Sequence, residues 1–177
     1  GFVGESSTLA GSASNRTYRA VSFVQVLRLP RRSYMRFIRR NGLYPTTQRL
    51  KQKRDFLQRT WLFGEALSYP VQNRLAQVMR LLTLDPHSET VVGRDSGVLV
   101  VKSGRPELVL DDHILETLDP GDFYGESGVL QDLTAFYRVR TGSQGAEVYR
   151  VNREMLLGIP VVRWKLCEVH ERRTRML

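Results

Sequence analysis

Two stretches of this chain are variants of one element. The first begins Gly1-Phe2-Val3-Gly4-Glu5-Ser6, and the second reads Gly121-Asp122-Phe123-Tyr124-Gly125-Glu126-Ser127. Each Gly-Glu-Ser is followed by a leucine at the same offset, Leu9 and Leu130. Each then reaches a matching tail, Val26-Leu27-Arg28-Leu29-Pro30-Arg31 against Val148-Tyr149-Arg150-Val151-Asn152-Arg153, and the two spans differ by one residue. An internal repeat means related structural units, so it constrains the fold before any single motif does. The second copy has a full set of elements ahead of it and the first has none. The expectation is a chain that starts inside one domain and contains a whole second one.

The 177 residues suffice for one good-sized core plus a smaller piece. No window approaches the roughly 18 apolar residues of a membrane span, and the N-terminus lacks the charged and apolar regions of a secretory signal. Cys167 is the sole cysteine, so no internal disulfide forms. That fits a reducing compartment and a cytoplasmic location. His87, His113 and His170 lack ligand spacing with one another or with Cys167, so no metal site is expected. The net charge of +9 is uneven: Arg31, Arg32, Arg36, Arg39, Arg40, Arg49, Lys51, Lys53 and Arg54 form one basic stretch, and Arg172, Arg173 and Arg175 another. Nucleic-acid binding is disfavoured, because the stretch lacks interleaved aromatics for base stacking.

Residues 1–19 read as a turn-rich loop. Residues 20–29, with Val21, Phe23, Val24, Val26 and Leu27, read as one or two strands buried on at least one side. They are expected to pack on the second domain or pair with another chain. Pro30 opens a helix carrying Tyr34, Phe37 and Ile38, which Asn41-Gly42 ends. Residues 43–54 read as a basic connector, and Phe56 to Phe63 as helical. A helix from Pro70 places Val71, Leu75, Val78, Met79 and Leu82 on one stripe. From Thr83 the period changes. Short apolar runs at 82–84, 90–92, 98–101, 107–110, 114–118, 136–140 and 147–151 alternate with turns, the pattern of a small barrel or sandwich. Asn152 caps a helix over 153–157. Pro160 begins a last helix with Val162, Leu166 and Val169 on one side.

These residues resemble the cyclic-nucleotide-binding domain family over roughly residues 56–177. Val100-Val101-Lys102-Ser103-Gly104-Arg105 is similar to its strand-turn. Leu118-Asp119-Pro120-Gly121-Asp122-Phe123-Tyr124-Gly125-Glu126 is similar to the opening of its phosphate-binding cassette. Glu147 to Arg153 is similar to its last strand and the start of its B helix. The resemblance implies an antiparallel, jelly-roll-like β-roll (a double-stranded β-helix), α+β and mainly β, with N-terminal helices and C-terminal helices of B and C type. It implies three parts: residues 1–42 as the end of a first copy, 43–54 as a basic linker, and 55–177 as a complete second copy.

The loop's physics is readable in its own right. Gly125 permits a backbone conformation barred to bulkier residues. A helical turn over Ser127, Gly128, Val129 and Leu130 would point free N–H groups at one spot suited to phosphate. Glu126 would accept a ribose hydroxyl, or else cap local donors. The candidate ligand-binding set is Gly125, Glu126, Ser127, Gly128, Thr134, Ala135 and Arg138. The family places a phosphate-neutralising arginine ten residues after the cassette glycine, and that position is Ala135 in one copy and Ser14 in the other. Losing such a partner forfeits about 2–5 kcal/mol. Arg138 is the candidate substitute, and Phe136 is placed to fill the vacated space.

Two function classes follow. One is a regulatory sensor module in which a cyclic nucleotide, cAMP or cGMP, controls an attached or partner output domain, with a homodimer through the C-terminal helix as one arrangement. The alternative is a degenerate module that binds no nucleotide and serves in protein interaction or dimerisation. An enzyme is disfavoured: no nucleophile–base pair, metal motif or Walker loop is present.

Overall fold

The computed structural model describes residues 3–11, 13–14, 17–64 and 67–176, with the side chains of Ser6 and Ala10 set aside. The chain forms two compact units, Gly1–Gln52 and Lys53–Leu177.

The first unit contains helices α1 (Glu5–Ala10) and α2 (Arg31–Arg40), and most of α3 (Tyr44–Arg59), within which the division falls. Its small core gathers Leu9, Met35 and Ile38, with Tyr34 and Tyr44 packed against it. Leu9 comes from α1, whereas Met35 and Ile38 share one face of α2 at i, i+3 spacing. As expected, α2 ends at Asn41-Gly42, where the Asn41 side chain donates to the Phe37 carbonyl at 2.8 Å and Gly42 takes φ +65°. Three expectations fail here. The stretch read as a turn-rich loop over residues 1–19 contains the helix Glu5–Ala10. Residues 44–54 of the expected connector are helical: Tyr44–Arg59 is one continuous α-helix, because Gln, Arg, Leu and Lys are good helix formers and a proline in the first turn costs nothing. Residues 20–29 form no strand, and every one of them is exposed. A strand needs a hydrogen-bonded neighbour, and among the described residues none is offered.

The second unit is a roll. Helix α4 (Tyr69–Val78) precedes strands β1 (Arg80–Leu84), β2 (Glu89–Val91), β3 (Val98–Ser103), β4 (Glu107–Leu110), β5 (His113–Thr117) and β6 (Phe123–Tyr124). Helix α5 (Glu126–Gln131), strands β7 (Arg138–Arg140) and β8 (Ala146–Val151), and helices α6 (Arg153–Leu157) and α7 (Pro160–Thr174) complete it. The stripe read through Leu82 is too long. The helix stops at Val78, the buried residues of α4 are Gln72, Leu75 and Ala76, and Leu82 pairs with Val148 in a sheet. The β-branched and leucine run after Arg80 favours extended structure over another helical turn. Asn152 sits at the N-cap of α6, but its side chain makes no capping bond.

The strands form two four-stranded antiparallel sheets, ordered β1-β8-β3-β6 and β2-β7-β4-β5. β8 is central, pairing with β1 through Leu82↔Val148 and with β3 through Val101↔Val148. Leu99, Val101, Tyr124 and Val148 of the first sheet meet Leu108 and Val139 of the second in one core, joined by Val92, Leu118, Ala135 and Tyr137. The fold is therefore the α+β roll expected from the sequence. Apolar residues from the two sheets meet in the core between them.

Candidate functional site

The Gly-Glu loop leaves β6 and turns directly into α5. Gly125 makes that turn, at φ +90° and ψ 15°. A Cβ built there would lie 2.4 Å from the Gly97 carbonyl oxygen. Conformation and space both therefore demand glycine. The turn carries Glu126, Ser127, Gly128 and Val129 inward, and all four are buried.

A buried carboxylate needs partners. Glu126 is fully sealed from water. Its Oε2 accepts from the Tyr137 hydroxyl at 3.0 Å and from Arg173 Nη1 at 2.8 Å. Tyr137 in turn accepts the Gly125 backbone N–H at 3.0 Å. Its hydroxyl thus links the glycine of the loop to the carboxylate beside it. Burial, and then the Glu126 charge, pushes the Tyr137 hydroxyl far above its ordinary value.

Arg173 is the residue that sequence reasoning missed. It had been counted with the C-terminal basic cluster, yet it is 2% exposed. Besides Glu126, its Nε donates to Glu116 Oε2 at 2.8 Å and its Nη2 to the Phe123 carbonyl at 2.9 Å. Desolvation opposes its charge, but the Glu126 carboxylate, then Tyr137 and Glu116, outweigh that. The guanidinium is held above its ordinary value. The planar fork suits this role, since it spends its donors on three separate acceptors while stacking near aromatic rings. Its carbon lies 5.8 Å from the Phe123 ring centre. A signal was available: Val162, Leu166, Val169 and Arg173 are the buried residues of α7. They follow one another at i, i+4, i+7 and i+11, so the apolar stripe continues onto Arg173.

The other candidates fall in different places. Glu126 Oε1 and Ser127 Oγ are buried and have no hydrogen-bond partner among the described residues. Ala135 is buried in the roll's core, with its N–H donating to the Val92 carbonyl at 2.9 Å. Thr134 is exposed. Arg138 is not a substitute for the missing arginine. It lies on the outer face of β7, paired with Glu89 at 2.8 Å, because Val139 beside it faces the core and strand side chains alternate. Phe136 is partly buried against the core and meets Tyr137 edge-on, at 5.1 Å and 82°.

A second arginine ties α5 down. Arg153, the first residue of α6, donates Nε to the Val129 carbonyl at 3.1 Å and pairs with Asp132 at 2.8 Å. Beside the Arg173 network lies a cavity of about 360 Å³, lined in part by Trp61, Glu116, Asp122, Phe123 and Glu168. Trp61 and Phe123 stack there in parallel, 6.3 Å apart. Among the described residues no cluster of histidine, cysteine and carboxylate side chains is arranged to hold a metal. No helix among them is long and apolar enough to cross a membrane.

No protein-family model matches the chain, and no curated protein matches it. Solved structures do. The regulatory domain of Toxoplasma gondii PKA with cAMP is similar at 19% identity and TM-score 0.54, over 63% of this chain and 44% of that one. The regulatory subunit of a cAMP-independent protein kinase A from Trypanosoma cruzi, bound to guanosine, is similar at 13% identity and TM-score 0.56, over 63% and 40%. The sensor domain of the transcriptional regulator DNR from Pseudomonas aeruginosa is similar at 17% identity and TM-score 0.58, over 70% and 89%. The matches to the two kinase regulatory chains span less than half of their length. At these identities the likeness is one of fold: this chain carries the roll found in those regulatory and sensor domains.

Proposed function

We propose that Lys53–Leu177 is a non-enzymatic regulatory sensor module whose ligand site is the Gly125–Val129 turn and whose output element is α7. The observation that carries this reading is the Arg173–Glu126 bond, which ties the loop's carboxylate to the last turns of the final helix. A ligand that takes Glu126 as an acceptor competes with or reorients Arg173. It therefore binds the two positions of α7 with different affinity, which is what a switch requires. The controlled output domain, a cytoplasmic setting and a homodimer through α7 belong to the same proposal. Such a dimer would use the exposed Trp164.

The ligand class follows from the polar groups present. Ala135 supplies no charge for a cyclic phosphate, and Arg138 points outward to Glu89. The unpartnered Glu126 Oε1 and Ser127 Oγ suit hydroxyl donors. A ribose-bearing ligand without a phosphate fits these groups better than cAMP or cGMP does. The guanosine in the T. cruzi structure is a ligand of that kind.

The second reading, a module that binds no nucleotide and serves in protein interaction, is favoured by one observation. Ala135 and Tyr137 are core residues packed with Leu99 and Val92. Isothermal titration with guanosine, adenosine, cAMP and cGMP at low and near-physiological salt separates the readings. Nucleoside binding that is lost in a Glu126→Gln chain still folded by its thermal melt supports the sensor. No heat and no thermal shift up to millimolar ligand leaves the interaction module. We also read residues 1–42 as the end of a first copy of the same roll, the internal repeat being its support.

A further inference from the structure

The eight strands of the roll carry five arginine or lysine side chains: Arg80, Lys102, Arg138, Arg140 and Arg150. Three of them have carboxylate partners. Lys102 pairs with Glu147 at 2.8 Å, Arg138 with Glu89 at 2.8 Å and Arg140 with Glu107 at 3.0 Å. The other two face each other: Arg80 stands directly opposite Arg150 in the β1–β8 pair. Like charges at directly opposite positions destabilise a sheet. Among the described residues, neither guanidinium meets a carboxylate.

Arg150 has one partner and unused donors. Its Nη2 donates to the Asp95 carbonyl at 2.6 Å. Its Nε is buried and donates to nothing among the described residues. Arg80 is exposed. The Asp95 carboxylate does not offset the pair, since it lies 3.8 Å from Arg94 Nε and is almost fully exposed. Arg94 thus adds a third cation on the 3-10 turn Arg94–Ser96 that Arg150 holds. Helix α5 rests on the same turn: a Cβ at Gly128 would lie 2.6 Å from the Arg94 carbonyl oxygen.

We propose that Arg80 and Arg150 form a binding site for a phosphate dianion, either inorganic phosphate or a terminal phosphate monoester. A monoester carries about −1.5 to −2 charge at pH 7, which matches two guanidinium groups where a single carboxylate does not. Its tetrahedral oxygens accept from two planar forks at once. A phosphodiester has one charge, so cyclic nucleotides and nucleic-acid backbone match the pair less well. The site is separate from the Gly125 turn, because its charges stand on β1 and β8 whereas that turn leaves β6. It does not rest on the sensor reading.

Melting of the 177-residue chain, read by Trp61 and Trp164 of the second unit, tests the site. In phosphate-free buffer, Arg80→Glu sets a carboxylate opposite Arg150 and is expected to raise the melting temperature by about 2–6 °C. Inorganic phosphate or glycerol 3-phosphate at about 20 mM, against chloride of equal ionic strength, is expected to raise the parent by at least about 2 °C and Arg80→Glu not at all. In Arg80→Gln the midpoint of the phosphate titration, followed at the Arg150 Nε–H resonance, is expected to weaken at least ~10-fold. Vesicles of phosphatidylcholine with phosphatidic acid form the third arm. Binding there that Arg80→Gln abolishes, without a response to the soluble phosphates, assigns the monoester to a lipid headgroup. An Arg80→Glu chain no more stable than the parent overturns the repulsion from which the site is inferred. A phosphate effect matched by chloride, or kept in full by Arg80→Gln, overturns the site and leaves screening or the basic stretch of residues 31–54 as its cause. So does the absence of any Arg80-dependent response in all three arms.

Discussion

Arg173 Nη1 lies 2.8 Å from Glu126 Oε2, with the two side chains 2% and 0% exposed and 47 residues apart in sequence. A buried pair of this kind is costly to break, because removing one charge strands the other in a medium that cannot solvate it. Arg173→Met and Glu126→Gln are each expected to lose roughly 3–5 kcal/mol of unfolding free energy. Glu126→Gln combined with Arg173→Met is expected to lose much less than the sum of these two single changes. Trp61 and Trp164 both lie in Lys53–Leu177, so tryptophan fluorescence in urea reads this unit and closes the cycle. Additive losses would mean that the bond contributes no coupling.

The same network predicts the alkaline limit of the unit. The Tyr137 hydroxyl is raised by burial and by the adjacent Glu126 charge, and Tyr124 is raised by burial. Folding therefore favours the protonated phenols. Their contribution is fully present below the unfolded value of 10.0 and falls as pH climbs past it. The melting temperature is expected to decline above about pH 10. Tyr137→Phe is expected to flatten that decline while leaving the Tyr124 part. Its stability at pH 7 should drop by about 1–3 kcal/mol, because Gly125 N–H and Glu126 lose a partner. An unchanged alkaline slope would show that Tyr137 ionises freely in the folded state.

Gly125→Ala tests the turn. The substitution imposes φ +90° on a residue with a Cβ and drives that Cβ to 2.4 Å from a backbone oxygen that cannot swing away. A loss of at least about 2 kcal/mol is expected. Thermal unfolding measures it. At Gly142, where a Cβ would meet nothing within 4 Å, the same change serves as the control and is expected to be nearly neutral.

The roll was legible because its strands announce themselves. The Val98–Val101 run, the turn glycines and the helix over 153–157 are all set by local composition. The loop was legible through Gly125-Glu126 and its repeat. What sequence reasoning lost was long-range partnering. The Glu89 that claims Arg138 is 49 positions away and reaches it diagonally across the β2–β7 pair, in which Val91 is the residue directly opposite Arg138. Arg173 looked like one more surface cation until its phase on α7 was counted against Val162, Leu166 and Val169. Residues 20–29 carry strand composition but pair with no neighbour among the described residues, and composition alone does not supply one.

In the proposed sensor, Ala135 is the residue that sets the loop's preference against phosphate. It stands ten residues after Gly125, buried at 9% exposure, with its own N–H already bonded to Val92. Its side chain brings no charge to a phosphate. Ala135→Arg places a guanidinium at that point while leaving the backbone bond to Val92 intact. A charge-assisted pair with a partly desolvated phosphate contributes about 2–5 kcal/mol, or roughly 30-fold to several thousand-fold in affinity. Ala135→Arg is therefore expected to bind cAMP or cGMP at least about 30-fold more tightly than the parent chain, with guanosine affinity changed by much less. Titration of both ligands against both chains, with a thermal melt to verify folding, makes the comparison. Equal gains for nucleoside and nucleotide would mean that the new side chain reaches the base or ribose instead. No gain in a folded variant would mean that position 135 does not face the ligand, and the phosphate argument from this loop would fail.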